Sequence, residues 1–96
     1  QHRQFFPVNA YATKDGYVYL AVGSDAQWQR MAAEPMFASL HQERYATNEG
    51  RREHGAALHA GIEALTKAQP TKAVMDVATP VMVRTPLGTS SIYTPG

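Results

Sequence analysis

The chain has no cysteine among its 96 residues. That excludes a disulfide framework, a thiolate nucleophile and every zinc site that needs sulfur, and it agrees with an expected home in the reducing cytoplasm. Long apolar runs are missing too. None approaches the roughly 20 residues that a membrane-spanning helix needs, and residues 1–7 lack the apolar stretch of a secretory signal. No membrane partner is therefore expected. Charge is sparse and balanced: Asp, Glu, Lys and Arg make up 18% of the chain, against roughly 25% in ordinary soluble domains, and the net charge is +1. With no overall field, nucleic acid is not an expected partner. Part of so weakly charged a surface can face another protein, unless Gln, Ser, Thr and Asn supply the polarity instead. The chain opens on Gln1 rather than Met, so an excised piece of a longer polypeptide is expected.

What is present reads as one domain, long enough for a single modest core. Residues 6–13 and 17–22 are rich in aromatic and β-branched side chains and flank Lys14-Asp15-Gly16, where glycine can take the positive φ of a tight hairpin. In the second strand Val18, Leu20 and Val22 face one way, and Tyr17, Tyr19 and Ala21 the other. Both sets are rather apolar, which predicts cover on both sides. Ser24 and Gln27 have the spacing of a capping box, so a helix is expected from Asp25, with Trp28, Met31 and Ala32 on its inner stripe and Pro35 limiting its length. Residues 36–45 show no clean period and read as a packed loop with a helical turn. Thr47 offers a second N-cap, and Leu58, Ile62 and Leu65 then repeat at i, i+4 and i+7, predicting one helix over about 50–68. Its glycines, Gly50, Gly55 and Gly61, each cost about 1 kcal/mol relative to alanine and are tolerable where a neighbouring backbone packs closely. A short helix over 71–77, a short edge strand over 81–83 and a flexible tail over 87–96 complete the reading.

Candidate chemistry is thin. His54 and His59, with Glu53 and Glu63, invite a metal reading, but an i, i+5 pair diverges by about 140° around a helix, so a solvated face is expected instead. Arg44, Arg51, Arg52 and His54 form a local basic cluster that Glu43, Glu49 and Glu53 interrupt, which reads as mixed surface. Ser24, Ser39, Ser90 and Ser91 lack the setting of a nucleophile elbow, and the glycines spell neither a P-loop nor a dinucleotide fingerprint. Asp15 is explained by its turn and Asp25 by the first turn of a helix. Asp76, with no evident structural task, reads as a surface residue. No residue is assigned to catalysis, metal binding or cofactor binding.

Four blocks carry a resemblance. Phe6-Pro7 leading to Tyr11-Ala12-Thr13-Lys14-Asp15-Gly16-Tyr17, then Leu20 through Trp28, then Arg44-Tyr45-Ala46-Thr47-Asn48, and last Thr79 through Pro86, follow one another in the order of the small domain of the class III coenzyme A transferases. The chain departs from that pattern at Pro70 and at Ala78-Thr79. The resemblance implies a two-domain subunit of interlocked, ring-like dimers that moves CoA between carboxylic acids through an aspartyl-CoA intermediate. Its aspartate would lie on a large domain ahead of the small one, and a glycine-rich active-site loop just before the hairpin. His2 is similar to a histidine at the exit of that loop.

The expectation is thus an α+β domain over 1–86, a small antiparallel sheet of a hairpin plus a returning strand packed with two or three helices, and a tail over 87–96. Its expected role is that of an isolated or truncated small domain, inactive alone, with a coenzyme A thioester implied only for the complete enzyme. A large CoA-transferase domain is the expected partner. The alternative is a repurposed protein-interaction or self-association module that forms a homo-oligomer.

Overall fold

Lys14 and Asp15 turn the chain between strands β1 (Val8–Thr13) and β2 (Gly16–Ala21) in a computed structural model that describes residues 5–78 and strands Met82–Arg84 and Ser90–Ile92. Thr13 pairs with Gly16, Tyr11 with Val18 and Val8 with Ala21. Gly16 sits at φ 155°, a backbone conformation that side chains rarely adopt, which is why glycine closes this turn. β3 (Met82–Arg84) adds antiparallel to β2, and β4 (Ser90–Ile92) antiparallel to β3, giving the order β1-β2-β3-β4. The returning strand is therefore interior rather than an edge, because β4 takes the outer place. Ser90–Ile92 falls within the expected tail, whose other residues lie outside those described, as does residue 81 of the expected strand.

Helix α1 (Asp25–Ala32) starts as its sequence dictates. Ser24 Oγ accepts from the Gln27 amide at 3.1 Å, and Gln27 reaches back to the Gly23 amide at 2.6 Å. Its stripe of Trp28, Met31 and Ala32 is fully buried. Residues 36–45 fold into two short 3₁₀ helices, Pro35–Leu40 and Glu43–Tyr45, that send Phe37, Leu40 and Tyr45 inward. The expected long helix is two. α2 (Asn48–Glu53), capped by Thr47 Oγ1 on the Gly50 amide, ends at His54, whose φ −106° and ψ 32° are not helical, and α3 (Gly55–Thr66) then starts afresh. Periodicity alone overlooked this break because His54 interrupts the helix between two segments that are each in phase with it. α4 (Thr71–Val77) follows Pro70. Among the described residues no helix is long and apolar enough to cross a membrane.

The helices cover one face of the hairpin, where Tyr11, Val18 and Leu20 meet Trp28, Leu58, Ile62 and Val74 in the core. The other face is covered only in part: Tyr19 and Ala21 are half-buried, whereas Val8 and Tyr17 are 45% and 46% exposed, and Ala10 and Ala12 are exposed beside them. The edge of β1 is nevertheless blocked. Glu63 Oε2 accepts from the Ala12 amide at 2.8 Å, Thr66 Oγ1 donates to the Ala12 carbonyl at 2.8 Å, and Asn9 Oδ1 accepts from the Ala10 amide at 2.9 Å. Satisfying an edge strand with side chains removes a template for pairing with another chain.

The hairpin turn also caps α4 from across the fold. Asp15 Oδ1 accepts from the Thr71 amide and the Thr71 hydroxyl, each at 2.9 Å, supplying the first turn of α4 with the partner that Pro70 cannot offer. Thr13 Oγ1 lies 2.7 Å from Thr71 Oγ1 and can donate to it, leaving the single Thr71 hydroxyl hydrogen for Asp15. These bonds, the Thr71 backbone N–H first, hold the Asp15 carboxyl below the usual aspartate range.

Two predictions follow from this packing. A Cβ on Gly50 would stand 2.1 Å from the Arg44 carbonyl oxygen. Helix propensity alone would reward Gly50→Ala by about 1 kcal/mol; the clash reverses the sign, and thermal unfolding should show a loss of about 1–3 kcal/mol, whereas a raised Tm would contradict the close approach. For Asp15 the depressed folded pKa means that its contribution is present above the ordinary aspartate value and lost as pH falls through the folded one. The Tm gap between the native chain and Asp15→Asn should be widest above about pH 5 and close toward acid; a gap that widens on acidification would disprove the assignment.

Candidate functional site

The densest polar construction lies where the chain enters the fold. Phe6 N donates to Asn48 Oδ1 at 2.7 Å, and Phe6 O accepts from Arg51 Nε at 2.6 Å. Asn48 opens α2 and Arg51 stands one turn later, so a single short helix presents both an acceptor and a donor to one residue of main chain. Arg51 is fully buried. Its Nη1 donates to the Tyr45 carbonyl at 2.9 Å, its Nη2 pairs with Asp25 Oδ1 at 2.8 Å, and its guanidinium lies 5.3 Å from the centre of the Trp28 ring. All three nitrogens of the guanidinium are thereby matched, in the fork geometry that only arginine provides.

This corrects two expectations. Arg51 is not part of a mixed basic surface, since it points into the core, whereas Arg52 is exposed and Arg44 is exposed against the Tyr45 ring at 5.0 Å. Asp25 does more than complement a helix dipole, because it is the counter-ion of the buried guanidinium. A signal was present: Arg51 stands seven residues before Leu58, on the apolar stripe carried backwards, where a surface arginine does not belong.

The aromatic side of Phe6 is also gripped. Its ring packs against His59 with centroids 4.7 Å apart, and a Cβ on Gly55 would come within 3.1 Å of it. Tyr11 and His59 are hydrogen-bonded through Oη and Nδ1 at 2.5 Å. Burial, and then the Glu63 charge, raise the Tyr11 phenol far above its ordinary value, which keeps it protonated. His59 is thus a half-buried packing residue rather than part of a solvated face, and His54 is half-buried against Tyr45, with ring centroids 6.2 Å apart.

The remaining candidates separate. Among the described residues no three His, Asp or Glu side chains are placed to hold a metal ion. Glu53 is exposed, while Glu63 is bound to β1. Ser24 is the cap of α1, Ser39 accepts at its carbonyl from Gln42, Ser90 and Ser91 fall in β4, and Asp76 lies exposed on α4. His2 lies outside the described residues. What the arrangement does chemically is hold a peptide: the polar groups of α2 read the main chain of Phe6, and Val22 N donates to the Pro7 carbonyl at 3.0 Å on the next residue.

Comparison with curated proteins gives no match. The family model described as CoA-transferase family III matches residues 1–88, all but the last eight residues of the chain. That span takes in the whole hairpin, the Phe6 grip and all four α-helices. The chain belongs to the CoA-transferase family III.

Proposed function

We propose that this chain is the small domain of a class III CoA transferase, a scaffold that completes a subunit whose chemistry resides in a larger domain. The family reaction moves CoA from an acyl-CoA to a carboxylic acid through an aspartyl thioester, and it needs a carboxylate held ready to attack the thioester carbonyl. The observation that carries the reading is how this chain uses its polar groups. Asp15 is bound to Thr71, Asp25 to Arg51, Glu63 to the β1 backbone and His59 to Tyr11. Each of these groups is committed to holding the fold. CoA is a substrate of the whole subunit in this reading, and its binding residues lie chiefly outside this chain.

The test is direct. The purified chain, mixed with an acyl-CoA and a free carboxylate, should exchange CoA no faster than buffer. Measurable turnover proportional to protein would sink the proposal.

A second reading, a self-association module, is favoured by one observation: the outer face of the hairpin leaves Val8 and Tyr17 nearly half exposed. Light scattering coupled to size-exclusion chromatography separates the two. A concentration-dependent dimer that Tyr17→Lys abolishes would support association, and a monomer at all concentrations would remove it.

A further inference from the structure

The geometry points to Arg51 and Asn48 as a joint that fixes where the polypeptide enters this domain, with Arg51 as its positioning residue. The inference rests on the reading above, that the domain is attached to a part of the subunit preceding it.

Stability alone is a poor reason for a charge at this place. Removing a guanidinium from water is costly even when it is paired, and an apolar side chain of similar volume commonly serves a core as well or better. What a buried arginine supplies is direction. Its three partners belong to three irregular or terminal segments: the incoming chain at Phe6, the 3₁₀ helix ending at Tyr45, and the start of α1 at Asp25. Strand pairing begins only at Val8, so hairpin hydrogen bonds do not reach Phe6.

The grip is also complete. It offers Phe6 an acceptor for its N–H, a donor for its carbonyl, and a seat for its ring between His59 and Gly55. The neighbouring Phe5 side chain, by contrast, is 42% exposed. Phe6 is therefore held by side chains 42 and 45 positions away, one residue ahead of the main-chain bond from Val22 to Pro7. A segment held at both main-chain groups and at its ring has a defined position and direction as it meets the domain.

Amide hydrogen exchange on the 96-residue chain, resolved by residue with NMR, tests this without any activity assay. In the unaltered chain the Phe6 amide and the Arg51 Nε–H should both exchange slowly. Asn48→Ala and Arg51→Lys, which replaces a planar fork of three nitrogens by one compact ammonium, should each speed the Phe6 and Val22 amides about tenfold or more, while Ile62 in α3 changes less than about twofold. Asn48→Asp, which keeps an oxygen acceptor, should restore slow exchange at Phe6. The joint is refuted if the unaltered Phe6 amide exchanges like that of a free peptide. It is equally refuted if Asn48→Ala speeds Phe6 and Ile62 by the same factor, which is the mark of a merely structural role. Should Arg51→Lys fail to fold, the two Asn48 variants decide alone. Catalysis by the chain would overturn the small-domain reading and leave these exchange rates as they are, so the two failures are distinguishable.

Discussion

A fully buried guanidinium organises the helical half of this domain. Arg51 has no access to water, so each of its donors must find an acceptor inside the protein, and the available acceptors are a carboxylate and two main-chain carbonyls from segments far apart in sequence. Meeting that demand draws the start of α1, the turn before α2 and the incoming chain to one point. Trp28 closes the assembly from below, its ring facing the guanidinium and its edge meeting Tyr45 at 6.2 Å. α2 points Arg51 at the incoming chain, and beyond the break at His54 α3 buries Leu58 and Ile62 in the core.

The hairpin is tied to the helices by a second set of polar contacts rather than by apolar packing alone. Asp15 caps α4, Glu63 and Thr66 satisfy both main-chain groups of Ala12, and Tyr11 pairs with His59. Each tie joins a strand or its turn to a helix more than 45 residues away, and each answers a specific deficit: an uncapped helix, an unpaired strand edge, a buried phenol. The outcome is a hairpin tied to the helices by Asp15, Glu63, Thr66 and the Tyr11–His59 pair. Membership of the CoA-transferase family III gives these ties their context.

Local chemistry was legible wherever a short stretch of chain decides its own conformation. The turn at Lys14-Asp15-Gly16, the Ser24 cap, the Trp28, Met31 and Ala32 stripe, and the Thr47 cap are all realised, because each depends on residues within a few positions of one another. The motif blocks leading to the family were legible for the same reason. The inside and outside of the hairpin were less so, since Tyr17 and Val8 are apolar enough to suit either face and the position of the helices decides between them.

The sequence by itself therefore determined the hairpin, α1 with its Ser24 cap, the Thr47 cap and the kinship, through propensities and spacings that act over one or two turns of chain. Only the tertiary structure decided the partners of Arg51, Asp25, His59 and Asp15, which no neighbouring stretch of sequence names. Those partners lie 45, 26, 48 and 56 residues away. No periodicity connects such distances. Burial removes the water that would otherwise satisfy these groups, and it is that loss of solvent, imposed by the packed fold, that turns ordinary polar residues into the ties that hold it.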